Sequence, residues 1–153
     1  MTATVIVPIT IRDAKLSDAS SLAALMCELG YETTNAEMRR RLEPILRDAR
    51  FRTFVAEIDN TVCGVIGTLT HPSYEHNNPP GKIIALVVSK KQRRFGIGRA
   101  LIAAAEKDFA ERRIARISLT TRFERKAAHQ FYEALGYEPT GWRFVKQLPA
   151  SNS

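Results

Sequence analysis

Residues 82–112 read KIIALVVSKKQRRFGIGRALIAAAEKDFAER, and the fold follows from how this stretch is parsed. Ile83, Ile84, Ala85, Leu86, Val87 and Val88 make an unbroken apolar run, which predicts a central strand covered on both faces. Residues 89–94 turn the chain with charge. Beyond them Ile97, Leu101, Ala105 and Phe109 recur every four residues, with Ile102 beside Leu101, the apolar stripe of an amphipathic helix. The turn ending in Gly96 and Gly98 therefore lies at a helix N-terminus, where unpaired N–H groups and the positive end of the helix dipole suit phosphate oxygens. Lys90, Lys91, Arg93, Arg94 and Arg99 place cations around it. Neither familiar nucleotide fingerprint fits: Arg99 replaces the Lys-Ser/Thr of a P-loop, and a third glycine three positions after Gly98 is absent. The expected phosphate ligand is thus neither ATP nor NAD held in those ways.

At 153 residues the chain is expected to be one domain, 1–153, with a polar disordered tail over 149–153. No N-terminal leader pattern and no apolar run of roughly 20 residues is present, so a cytoplasmic protein without a membrane partner is expected. Cys27 and Cys63 have no companions at metal or disulfide spacing and are expected to be buried thiols; no metal is called for. A net charge of +7 favours anionic partners. Nucleic acid is disfavoured among these, because the basic residues are not interleaved with aromatic ones and no recognition-module signature occurs.

Outward from the central stretch, residues 5–12 predict a first strand and Ser17 the cap of a helix with Leu22, Leu25, Met26 and Leu29 inward, ended by Gly30. Thr34 and Glu37 form a capping box for a second helix carrying Met38, Leu42, Ile45 and Leu46, which Pro44 should kink or break. Residues 53–58 and 61–70 predict a hairpin about Asp59-Asn60. The loop 71–81, HPSYEHNNPPG, gathers Tyr74, Glu75 and His76, with His71 nearby. Residues 116–121 predict a strand; Ala128, Phe131, Tyr132 and Leu135 predict a helix face closed by Gly136; residues 142–148 predict a last strand. The order is that of an α+β fold with a mixed sheet.

Arg93-Arg94-Phe95-Gly96-Ile97-Gly98 matches Arg/Gln-x-x-Gly-x-Gly/Ala, and Ala128-His129-Gln130-Phe131-Tyr132-Glu133-Ala134-Leu135-Gly136-Tyr137 matches Ala-x-x-Phe-Tyr-x-x-x-Gly-Phe/Tyr. On these two blocks, and on the order of elements, the chain resembles the GNAT N-acetyltransferases over nearly its whole length. With Leu29-Gly30-Tyr31 it is similar to small bacterial small-molecule or aminoglycoside acetyltransferases. The resemblance implies a mostly antiparallel mixed sheet flanked by about four helices, with acetyl-CoA as cosubstrate. Its pyrophosphate would lie on the turn of Arg93, Arg94, Phe95, Gly96, Ile97, Gly98 and Arg99, and its pantetheine arm beside Leu86, Val87 and Val88. A bulge in that strand would free an N–H, carried over to Val88 with Leu86 as neighbour, for the acetyl carbonyl.

The resemblance further implies direct transfer to a primary amine in a ternary complex, with Tyr132 as general acid toward the departing thiolate. Glu75 and His76 are the candidate bases. Arg125 stands where many relatives have a cofactor-contacting asparagine, and is carried as a cofactor-binding candidate. A protein N-terminus or lysine remains an alternative acceptor, and a non-catalytic CoA-sensing or nucleic-acid-binding module an alternative of another class. A homodimer is compatible with the sequence.

Overall fold

A computed structural model describes residues 8–93 and 95–150 of the chain. The expected strand residues 5–7, Arg94, and residues 151–153 of the expected tail lie outside the described residues. The chain divides into two compact units, Met1–Leu119 and Thr120–Ser153.

The first unit holds five strands in the spatial order β1-β2-β3-β4-β5: β1 (Thr10–Asp13), β2 (Phe51–Ile58), β3 (Thr61–Thr70), β4 (Gly81–Val88) and β5 (Ile117–Ser118). The first three pairings are antiparallel and only β4 with β5 is parallel, so the sheet is mixed and mostly antiparallel as expected. Helices α1 (Ala19–Leu29) and α2 (Asn35–Arg47) connect β1 to β2, and α3 (Ile97–Glu111) connects β4 to β5. No helix among the described residues is long and apolar enough to cross a membrane.

Local chemistry accounts for most boundaries. Gly30 ends α1 at φ 108°, a left-handed conformation that glycine adopts without a Cβ penalty. Thr34 Oγ1 accepts from the Glu37 N–H at 3.1 Å, and Glu37 Oε1 accepts from the Thr34 N–H at 3.0 Å, completing the expected capping box of α2. Asp59 and Asn60 take φ 50° and 62°, the primed turn that matches strand twist.

Consecutive residues of β3 show how the layers form. Val65 faces a core built from Leu22, Leu25, Met38, Leu42, Val55 and Val87, under α1 and α2. Gly64 faces the other way. A Cβ there would lie 2.9 Å from Ile97 Cγ2 and 3.1 Å from Leu101 Cδ1, so its absence lets α3 approach the sheet. Leu101, Ile102, Ala105 and Phe109 are buried along this helix, as its four-residue period predicts.

Several expectations need correction. Ser17 does not cap α1; it lies in a 3-10 turn, Leu16–Asp18, and Asp18 precedes the helix. The Asp18 carboxylate is committed elsewhere, accepting from Arg12 at 2.8 Å through both oxygens and from the Lys15 N–H. Pro44 does not break α2, which continues to Arg47. Proline removes only the bond to the Arg40 carbonyl, and Arg40 is exposed to water that can take its place. Cys63 is buried, but Cys27 is exposed near the end of α1, its Sγ 3.4 Å from the Thr33 N.

The second unit contains α4 (Lys126–Ala134), closed by Gly136 at φ 93° with the Tyr137 N–H reaching the Tyr132 carbonyl at 3.0 Å. Residues 142–148 form no strand, and Trp142, Phe144, Val145 and Leu148 are exposed. The alternation is present in the sequence, but no strand within this unit lies beside it to complete a ladder.

Candidate active site

The chemistry-bearing end of the first unit begins on β4. This strand is not covered on both faces as its apolar run suggested: Gly81, Ile83 and Val87 are buried, while Ile84 is 49% exposed. A bulge lies at this residue. Gly67 pairs with Ala85 and Thr68 with Ile83, so two steps on β4 match one on β3, and Ile84 is the extra residue. The bulge therefore lies two residues before Leu86 and four before Val88.

Backbone parity then fixes which groups β4 presents. The Ser89 N–H donates to the Cys63 carbonyl at 2.8 Å, so Ser89, Val87 and Ala85 direct their backbone groups toward β3. Leu86 and Val88 direct theirs the other way. On that side β5 pairs only with Gly81 and Lys82, and the Gly81 N–H bonds to the Arg116 carbonyl at 2.9 Å. Beyond Lys82 no strand among the described residues occupies this edge, leaving the N–H and carbonyl groups of Leu86 and Val88 to face an open slot.

The slot leads into the turn. After a short 3-10 turn, Lys90–Gln92, the chain reaches Gly96 at φ 77° and ψ 18°, and α3 begins at Ile97. No atom lies within 4 Å of a Cβ built at Gly96, so what demands glycine there is the left-handed backbone. The first intrahelical bond runs from the Ala100 N–H to the Gly96 carbonyl at 3.0 Å, so the N–H groups of Ile97, Gly98 and Arg99 have no acceptor within the helix. The Ile97 side chain is buried and anchors the turn, whereas Arg93, Phe95 and Arg99 are exposed. Among the described residues no carboxylate pairs with Lys91, Arg93 or Arg99. Three cations without ion pairs beside unpaired helix N–H groups suit a polyanion.

One residue of this region escapes sequence reading. Glu28, in the last turn of α1, accepts from the Lys90 N–H at 2.9 Å and from the Ser89 hydroxyl at 3.4 Å. It ties α1 to the start of the basic turn across 62 positions of sequence. Nothing in the local pattern marks it, since the stripe of α1 explains only the inward residues.

The candidate bases lie in the exposed loop before β4. Glu75 Oε2 accepts from the Ser73 hydroxyl at 3.3 Å, and Ser73 Oγ accepts from the N–H groups of Glu75 and His76 at 3.1 and 3.2 Å. His76 Nε2 stands 3.4 Å from Arg116 Nη1, next to β5. In the second unit, Tyr132 is half-buried on α4 with its ring against Phe131 and Tyr137, at centroid distances of 5.3 and 6.1 Å. Burial raises its hydroxyl above the usual 10.0, and the positive charge of Arg125 opposes that rise. Arg125 itself is exposed at the N-terminus of α4.

A cavity of about 140 Å³ lies between α1, α2 and the sheet, and both Ile84 and Ala85 of the bulge line it. A more open depression near the end of α2, lined by Glu43, Pro44, Arg47, Asp48 and Ala49, includes no residue of β4 or the basic turn.

Comparison with known proteins agrees with this geometry. The family described as "Acetyltransferase (GNAT) family" matches residues 19–137, spanning parts of both units. An aminoalkylphosphonate N-acetyltransferase of Salmonella typhimurium is 32% identical over 139 residues, covering 90% of each chain. Among solved structures, a transcriptional regulator from Bacillus halodurans superimposes with a TM-score of 0.85 at 21% identity, over 92% of this chain and 100% of that one. The aminoglycoside N-acetyltransferase AAC(6')-Iy, solved with CoA, superimposes with a TM-score of 0.81 at 18% identity, over 94% and 97%. The structural likenesses speak for the fold; the family match and the Salmonella relative, together with the slot and turn described above, make this chain a member of the GNAT acetyltransferase family.

Proposed function

We propose that the chain transfers the acetyl group of acetyl-CoA directly to the primary amine of a small molecule, both substrates being bound together. The observation that carries this reading is the continuity of the open β4 edge at Leu86 and Val88 with the α3 N-terminus and its unpaired cations. A long ligand with an amide-rich arm and a pyrophosphate needs that pair of features in that order. The likeness to an aminoalkylphosphonate N-acetyltransferase supports a small amine as acceptor, and the CoA in the aminoglycoside enzyme supports the cosubstrate.

In this reading Ile97, Gly98 and Arg99 offer N–H groups to the pyrophosphate, with Arg93, Arg94 and Arg99 as counter-charges. Leu86 and Val88 bond the pantetheine arm through main chain, Val87 between them anchors the strand in the core, and Phe95 covers the turn. A backbone N–H at or just beyond the bulge polarises the thioester carbonyl; this donor is preorganised and costs no rearrangement during reaction. The acceptor arrives as an ammonium, whose pKa near 10.4 requires that a proton be removed. Glu75 or His76 takes that proton, through water if the loop stays as exposed as it is here. Tyr132 donates to the leaving thiolate, and Arg125 favours that donation by stabilising negative charge on the phenol oxygen.

Calorimetric titration with acetyl-CoA tests the reading, run beside Gly96→Asp, which places an anion and a strained Cβ in the turn. Binding by the wild type and at least tenfold weaker binding by the variant are expected, followed by thiol release on addition of small primary amines. Folded wild-type protein that fails to bind acetyl-CoA would overturn it.

A further inference from the structure

The cavity behind the bulge has a chemistry of its own. Its walls are Met26 of α1, Ile45 of α2, Phe51 and Thr53 of β2, and Ile84 and Ala85 of β4, with buried core residues beneath. Among the described residues, none that lines it is charged, and the only polar side chains are two threonine hydroxyls. That of Thr68 already donates to the Arg52 carbonyl at 3.3 Å. A polycationic sugar or a phosphonate would enter such a space without a single charged partner and lose its hydration. Its volume, about 140 Å³, is close to the roughly 150 Å³ of an apolar cavity that holds benzene.

We propose that this cavity is a specificity pocket for an uncharged apolar group of four to six carbons, branched or a single ring, carried by one of the two reactants. The proposal rests on the function proposed above, because it places the thioester carbonyl at the bulge whose residues Ile84 and Ala85 form one wall. The apolar group then belongs either to the body of the amine or to an acyl chain longer than acetyl. In both cases its burial holds the reacting carbon and nitrogen together while the charged parts of the reactants stay outside.

The test compares amines and acyl donors of graded length. With acetyl-CoA fixed, 3-methylbutylamine and benzylamine are compared with ethylamine; with ethylamine fixed, isovaleryl-CoA and hexanoyl-CoA are compared with acetyl-CoA. Each buried methylene contributes about fourfold, so one of the two series should favour its larger members by at least tenfold in kcat/KM. The series that does so names the source. Thr53→Phe, which projects a ring into the cavity while keeping the backbone bond from the Ala14 N–H, should abolish the preference but leave acetyl-CoA affinity intact. Ile45→Phe, on the opposite wall, is the second filling variant if the first proves unstable. Titration of 3-methylbutylamine into protein saturated with CoA reads the pocket without turnover. Equal use of small and large members in both series, or a preference that survives filling, would overturn the pocket. Loss of acetyl-CoA binding by the wild type would instead overturn the underlying function, and the amine titration into free protein would still report on the cavity.

Discussion

Glu28 Oε1 accepts the backbone N–H of Lys90 at 2.9 Å, so a carboxylate on the helix next to the cavity holds the first residue of the basic turn. The bond joins two elements with no sequence proximity, and it fixes where the chain leaves β4 before it reaches Gly96. Glu28→Ala frees that N–H and removes a bond to a charged acceptor, which at this half-buried position contributes about 1 kcal/mol. The expected outcome is a KM for acetyl-CoA raised roughly fivefold with kcat changed less than twofold. Glu28→Gln, which keeps an acceptor oxygen, should recover most of the affinity. Steady-state kinetics with both variants decides, and an unchanged KM in Glu28→Ala would show the bond to be incidental.

Tyr132→Phe should lower kcat by about a hundredfold, at the low end of general-acid effects, with acetyl-CoA affinity unaltered. The proton to be donated is held more tightly than usual, because burial raises this hydroxyl above 10.0 despite Arg125. An acid with a raised pKa stays protonated over a wider range. The wild-type kcat should therefore show no decline from this group up to about pH 9, and a fall in kcat that begins below that pH and is absent from Tyr132→Phe would contradict the assignment.

Asp18 couples stability to acid. It is only 7% exposed, and its bonds with Arg12 first, then with the Lys15 N–H, hold its carboxyl below the usual 3.8 in spite of burial. The folded state thus binds this proton less readily than the unfolded state. Its contribution is complete above 3.8 and is lost as pH falls through the lower folded value. Asp18→Asn should cost about 2 kcal/mol at neutral pH and show a shallower loss of stability below pH 4. Urea denaturation at pH 7 and at pH 3 measures both, and parallel curves for the two proteins would refute the coupling.

Gly64→Val tests the approach of α3 to the sheet. Its new Cβ would sit 2.9 Å from Ile97 Cγ2, 3.1 Å from Leu101 Cδ1 and 3.4 Å from the Val87 carbonyl oxygen. Overpacking of this kind costs about 1–3 kcal/mol, which lowers Tm by about 5 °C in a chain of this size. Since Ile97 follows Gly96 directly, acetyl-CoA affinity should fall along with Tm. A variant that loses stability while binding acetyl-CoA normally would separate the helix start from the binding turn.

What could be read from sequence was what neighbouring residues determine among themselves. The Thr34–Glu37 box, the Asp59-Asn60 turn and the buried period of α3 each involve a few positions and declared themselves. The glycine turn was legible for the same reason, with its cations and helix start contiguous. Long-range effects were not. Ile84 looked like any member of an apolar run, because its bulge exists only in register with Gly67 and Thr68. Glu28 looked like a solvated helix residue until Lys90 was brought beside it. Ser17 was drawn into a 3-10 turn ahead of α1, and Asp18, which follows it, gives its carboxylate to Arg12 and not to the helix, a pairing that the local sequence does not show. Residues 142–148 carried the pattern of a strand, but a strand also needs a neighbour, which pattern alone does not supply.

The outward-facing backbone of Leu86 and Val88 has a consequence for how such a protein evolves. In the proposed function the acyl donor is held there by groups that every amino acid except proline possesses, so substitution along the strand can reshape what surrounds the reaction without loosening that grip. Acceptor preference is then free to drift with the residues of α1, α2 and the bulge, while the donor side stays the same. A lineage built on this plan can change customers many times and never change supplier.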